Sequence, residues 1–161
     1  IRKSFGFLRT LEASGVFGDV LNYLSNLAVT GNYTRVYSEI EFVDERTLLP
    51  GRREMQGQSP WMLNVSLSFR EPNIGTSLNM LFSSFGRRLD AVGDYTYLDV
   101  FEEPRDVIDL SVTQPMMEGF EMKFTVKDLT ASTKSFTYRD GDKYKKLNYG
   151  RTFSLQASLT L

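Results

Sequence analysis

Cysteine and histidine are absent from the 161 residues. Without cysteine there is no disulfide framework. Without either residue the usual zinc sites and a histidine-based catalytic triad are out of reach. No nucleophile–base pair of the common kinds can be assembled, which leaves only the rarer Ser-Lys or carboxylate schemes. The sequence is therefore read as a non-enzyme that carries no metal and no cofactor. Charge of one sign is also lacking. The net charge is −1, so no overall electrostatic attraction draws nucleic acid or an anionic membrane surface. No apolar run approaches the roughly 20 residues of a membrane-spanning helix. That excludes helical spans but not β spans, whose hydropathy is interrupted at every second residue. The chain begins at Ile1 and shows no signal peptide. A secreted protein would thus have lost one or be the downstream part of a longer chain.

What is present is alternation. Trp61, Leu63, Val65, Leu67 and Phe69 are interleaved with Met62, Asn64, Ser66, Ser68 and Arg70. Phe120, Met122, Phe124 and Val126 alternate with Glu121, Lys123, Thr125 and Lys127, and Phe153, Leu155, Ala157, Leu159 and Leu161 with Thr152, Ser154, Gln156, Ser158 and Thr160. Strict alternation places one set on each face of a strand. Three noisier stretches read the same way: 27–42, 76–88 (where Leu81 and Phe85 fall on the wrong face) and 107–114. Residues 2–8 read as the end of one more strand. Phe17, Val20, Leu21 and Leu24 have helical spacing, so segment 11–26 is expected to hold a short amphipathic helix at the rim.

The connections sharpen this reading. Pro72-Asn73-Ile74-Gly75 and Pro115-Met116-Met117-Glu118-Gly119 are turn chemistry between antiparallel neighbours. They alternate with polar, charged connections of 18–20 residues at 43–60, 89–106 and 131–150. Short turns on one side and long loops on the other are the pattern of an outer-membrane barrel. The clean strands have about the 9–11 residues that cross the hydrocarbon at a tilt. Trp61, Phe69, Phe120 and Phe153 stand near strand ends, where aromatic belts lie. The expected fold is therefore all-β, an antiparallel transmembrane β-barrel segment of six strands plus a partial one. Tight turns would face the periplasm and long loops the exterior. So few strands leave open edges, which lipid does not tolerate, so the chain needs further strands from elsewhere or an eighth of its own.

Several motifs resemble the C-terminal barrel region of TonB-dependent outer-membrane receptors of the Bacteroidota type. Gln56-Gly57-Gln58-Ser59-Pro60-Trp61-Met62-Leu63-Asn64 is similar to the family's QGQSPYLLN element. Phe85-Gly86-Arg87-Arg88-Leu89 with Val92-Gly93, and Phe101-Glu102-Glu103-Pro104-Arg105-Asp106-Val107-Ile108-Asp109-Leu110-Ser111, resemble its next two stretches. Phe124-Thr125-Val126-Lys127-Asp128-Leu129 and Gly150-Arg151-Thr152-Phe153-Ser154-Leu155 resemble its last two strands. The order and spacing of these motifs over residues 27–161 carry the resemblance. It implies that residues 1–161 are the last six or seven strands of a 22-stranded barrel in the bacterial outer membrane. The plug domain and remaining strands lie outside this chain. Such receptors import scarce large solutes: a siderophore, vitamin, oligosaccharide or peptide. The implied partners are the rest of the barrel and the plug, TonB through that plug, outer-membrane lipid and lipopolysaccharide, and a surface lipoprotein. One departure is that the family usually ends on an aromatic residue, whereas this sequence ends on Leu161.

Candidate solute contacts are the lumen-face residues Asn64, Ser66, Ser68, Asn79, Asp109 and Ser111. Loop 89–106 is acidic through Asp90, Asp94, Asp99, Glu102, Glu103 and Asp106, and loop 131–150 is basic through Lys134, Arg139, Lys143, Lys145 and Lys146. The basic loop could meet lipopolysaccharide phosphates or an anionic solute, the acidic one answering it across the mouth, or both could simply be solvated. Asp140-Gly141-Asp142 resembles the start of a calcium loop, but the remaining ligands are missing and a solvated turn is expected. Two other classes compete. A standalone barrel of about eight strands with a structural or adhesion role needs one more strand. A soluble β-sandwich binding module would fold without detergent.

Overall fold

The computed structural model describes residues 1–6, 8, 16–43, 50–93 and 98–160; in its helix, the side chains of 16, 17, 19 and 22 lie outside the description. In chain order the elements are β1 (Arg2–Ser4), α1 (Val16–Ser25), β2 (Leu27–Arg35), β3 (Ile40–Val43), β4 (Pro50–Arg53), β5 (Trp61–Arg70), β6 (Ser77–Phe85) and β7 (Arg88–Ala91). They continue with β8 (Val100–Glu102), β9 (Arg105–Met117), β10 (Phe120–Lys127), β11 (Lys134–Tyr138), β12 (Lys143–Leu147) and β13 (Thr152–Leu159). The protein is all-β and every strand pairing is antiparallel.

Seven strands form the main sheet in the order β1-β2-β5-β6-β9-β10-β13. These are the alternating segments, each beside the next in sequence. The sheet is open: β1 and β13 are its edges. The turn after β5 is tight, with Gly75 at φ +73° and the Glu71 carboxylate accepting from the Asn73 and Ile74 amides. The second tight turn is shorter than its sequence implies. β9 runs through Pro115 to Met117, leaving Glu118-Gly119 alone as the connection. Phe120 faces Met117 while Glu121 faces Pro115, so Met116 is an extra residue, a β-bulge. A bulge is one of the few strand positions that accept proline.

The long connections are not structureless. Segment 27–42 ends its ladder at Arg35, and β3 then pairs with β4 as a separate hairpin. Segment 76–88 leaves the main sheet after Phe85, and β7 joins a four-stranded sheet ordered β12-β11-β8-β7. Connections 89–106 and 131–150 are thus corrected from polar loops to a second sheet with its own core. Leu89, Val100, Phe101 and Phe136 are buried there, and in the main sheet Val126 is the buried hydrophobic residue among those described. The predicted helix is found as α1, with Val20, Tyr23 and Leu24 exposed. Leu161 and Asp94 lie outside the described residues.

Candidate functional site

Residues paired across antiparallel strands share a face, so the ladders turn the alternation into a map. One register row crosses all seven strands: Ser4, Ala28, Ser68, Asn79, Ser111, Thr125, Ser154. A neighbouring row on the same face holds Arg2, Thr30, Ser66, Leu81 and Asp109, and the next holds Asn32, Asn64, Ser83 and Val107. Asn64, Ser66, Ser68, Asn79, Asp109 and Ser111 therefore all lie on one polar face across β5, β6 and β9. Thr30, Asn32, Thr125 and Ser154 belong with them; the alternation of their own strands was the signal that could have added them. Leu81 and Phe85 do point to this face, as their sequence positions imply. Asn64 Nδ2 donates to Asn32 Oδ1 at 3.2 Å. Asp109 is already engaged, its Oδ1 accepting from the Asp128 amide at 2.9 Å. It fastens the end of β10 and is thereby a weaker candidate for a solute contact.

The opposite face is apolar over its middle rows from β2 to β13, with Lys3 at the β1 edge and Ser84, Asp106 and Gln114 in its outer rows. Its rows run Val29, Leu67, Met80, Leu110, Val126, Phe153 and Leu27, Phe69, Leu78, Val112, Phe124, Leu155. Among the described residues Val126 is the buried member of these rows; the others are half-buried or exposed. Phe153, Leu155 and Leu159 are 64, 67 and 64% exposed. Soluble monomers rarely expose contiguous apolar patches above a few hundred Å².

The second sheet brings the oppositely charged connections together. Glu102, 1% exposed, accepts from Arg88 Nε and Nη2 at 2.8 and 2.6 Å, and Lys134 Nζ lies 3.3 Å from its other oxygen. Arg87 donates to Glu103 at 2.9 Å, to Thr137 Oγ1 at 3.1 Å and to the Tyr138 carbonyl at 3.0 Å, with its guanidinium 4.1 Å from the Phe101 ring centre. Arg139 pairs with Asp99, which also accepts from the Gly93 amide at 2.8 Å. Partial burial pushes the Asp99 carboxyl up. The hydrogen bonds from Arg139 and Gly93 and the charges of Arg139 and Arg53 outweigh it and hold the group below its ordinary value. Glu102 and Glu103 are thus structural anions. Lys134 and Arg139 are spent on the acidic segment, while Lys143, Lys145 and Lys146 stay exposed. Asp140 caps a turn by accepting from the Asp142 amide at 3.2 Å. Among the described residues no group of three or more acidic side chains could hold a metal ion.

No protein-family model, curated protein or solved structure matches the chain.

Proposed function

We propose that this chain is the C-terminal barrel portion of a TonB-dependent outer-membrane receptor that imports a scarce large solute. The apolar face would meet lipid and the polar face a water-filled lumen. One observation carries the reading: an open seven-stranded meander whose apolar rows run from β2 to β13 and stay half-buried or exposed at most of their positions. A soluble sandwich would bury that face under a second sheet, and the second sheet here extends the strands at one end instead. In lipid the same face needs no cover, and the unpaired edges β1 and β13 would join further strands of a closed barrel. The sequence motifs from Gln56 to Leu155 supply the family assignment. The alternation of tight turns with folded connections fits periplasmic and extracellular sides. On this reading Asn64, Ser66, Ser68, Asn79 and Ser111 face the lumen, with hydroxyl and amide groups suited to polar solutes or to a plug.

The test is to extract the protein from outer membranes with detergent, measure the mass of the intact complex and identify co-purifying chains. Recovery with a plug and about fifteen further strands, on one longer or split polypeptide, supports the receptor. Recovery as a folded, heat-modifiable species of 18.4 kDa would replace it with a small standalone barrel. Recovery in the aqueous fraction without detergent would remove both membrane readings.

A further inference from the structure

A cleft of about 230 Å³ lies between the β3–β4 hairpin and the second sheet. Leu89 and Phe101, paired across β7 and β8, form its apolar floor. Tyr37, Glu39, Arg52, Arg53, Glu54 and Arg139 bring the polar groups. The segment that follows the hairpin is held against β7 by the Gly57 amide donating to the Leu89 carbonyl at 2.7 Å and the Gln56 side-chain amide donating to the Asp90 carbonyl at 2.7 Å. These bonds tie the end of β4 to the second sheet, and strands supply Arg52, Arg53, Leu89 and Phe101 to the cleft.

Its three guanidinium groups are not equivalent. Arg52 is shared between Glu41 at 2.9 Å and Glu39 at 3.7 Å, and Arg139 is taken by Asp99. Arg53 forms no ion pair with any described carboxylate, although its charge reaches Asp99. Its Nε is buried and has no hydrogen-bond partner. The guanidinium is instead held 4.9 Å from the centre of the Phe42 ring, which lies over Gly51 so closely that any Cβ there would meet it at 2.7 Å. The buried Nε is out of a ligand's reach, but the two terminal Nη groups form no hydrogen bond or ion pair with a described residue, and such a pair matches a carboxylate in two parallel hydrogen bonds.

We propose that this cleft is a binding site for a small molecule bearing a single carboxylate, with Arg53 as its anchor and the Leu89–Phe101 floor beneath its apolar part. Arg53 is the one guanidinium of the three without a described ion-pair partner, so the cleft offers one anchor for one negative charge. Glu39 and Glu54 on the walls would repel a dianion such as a phosphate monoester. The site is made by the second sheet and the hairpin, and it does not depend on the main sheet facing lipid.

Benzoate is the probe, titrated into the full-length chain in detergent and followed by saturation-transfer NMR. The expected result is saturable binding at about millimolar affinity, ordinary for so few atoms. Benzyl alcohol should show none, and phenyl phosphate should bind no more tightly than benzoate. Arg53→Gln should weaken benzoate tenfold or more and Arg70→Gln should change nothing. Arg53→Lys keeps the charge and guards against misfolding of the first variant; lacking the fork, it should bind severalfold more weakly. Absence of saturable binding, equal binding by Arg53→Gln, equal binding of benzyl alcohol, or tighter binding of phenyl phosphate would each overturn the proposal.

Discussion

Val65 and Ser66 are adjacent in β5 and point to opposite faces, so an arginine at each tests the proposed orientation of the sheet. Val65 stands opposite Gly31 and Phe82 on the apolar face, and Ser66 opposite Thr30 and Leu81 on the polar face. Val65 is the fifth residue of a ten-residue strand, about 13 Å from one end and about 17 Å from the other at ~3.3 Å per residue. A guanidinium placed there is too far from either interface to reach water along the strand. An arginine near the bilayer midplane of a barrel costs about 2–4 kcal/mol, or roughly 30- to 700-fold in the folded-to-unfolded ratio. Val65→Arg should abolish the heat-modifiable species in outer-membrane fractions. Ser66→Arg, whose side chain would enter a wet lumen, should leave it within about twofold of wild type. The readout is the folded fraction on semi-native electrophoresis, with total protein measured in parallel. Equal tolerance of the two changes, or greater damage from Ser66→Arg, would refute the assignment of faces.

Glu102→Ala would strand Arg88 and Lys134 without their shared carboxylate. A loss of about 3 kcal/mol should appear as faster amide exchange in β7, β8 and β11, with β5 and β6 unchanged. Asp99 has its carboxyl held below the ordinary value when folded, so its stabilising contribution is complete above the unfolded value of about 3.9 and is lost as pH falls through the lower folded value. Proteolysis around Arg139 should therefore be flat from pH 5 to 8 and rise only below about pH 4. Gly119→Ala meets both a φ of +73° and the Thr160 carbonyl oxygen at 2.5 Å. It should cost about 1–3 kcal/mol and lower the detergent-solubilised melting temperature, whereas Gly141→Ala, at φ +94° with open space around it, should bear only the backbone cost.

The main sheet was legible in sequence because each of its strands has one apolar and one polar face, and that contrast survives as period two. Even in its irregular stretch at 76–88 the parity of Leu81 puts it on the polar face, while its partners Ser66 and Asp109 are given only by the ladders. The second sheet left no such trace. Val100-Phe101-Glu102 is buried on both faces, so nothing alternates, and three residues fall below any periodic window. Lys143-Tyr144-Lys145-Lys146-Leu147 reads as a solvated loop because it is an edge strand, where lysines discourage further pairing. The six proposed lumen residues were found by parity. The cleft around Arg53 was not, because its parts come from residues 37–39, 52–54, 89, 101 and 139, which only the pairing of β8 with β11 and the seating of the hairpin bring together.

That β8–β11 pairing also has a mechanical consequence. It joins the connection between β6 and β9 to the connection between β10 and β13, so at this end four successive strands of the main sheet are stapled across their loops. At the other end β9 and β10 are joined by Glu118-Gly119 alone. Splaying these four strands at the stapled end would require unzipping the second sheet and breaking its buried Glu102 contacts, while the turn end has no such restraint. Under load the sheet should therefore behave as a fan with a clamped rib, yielding first at the turns, and the stapled end should open as one cooperative unit.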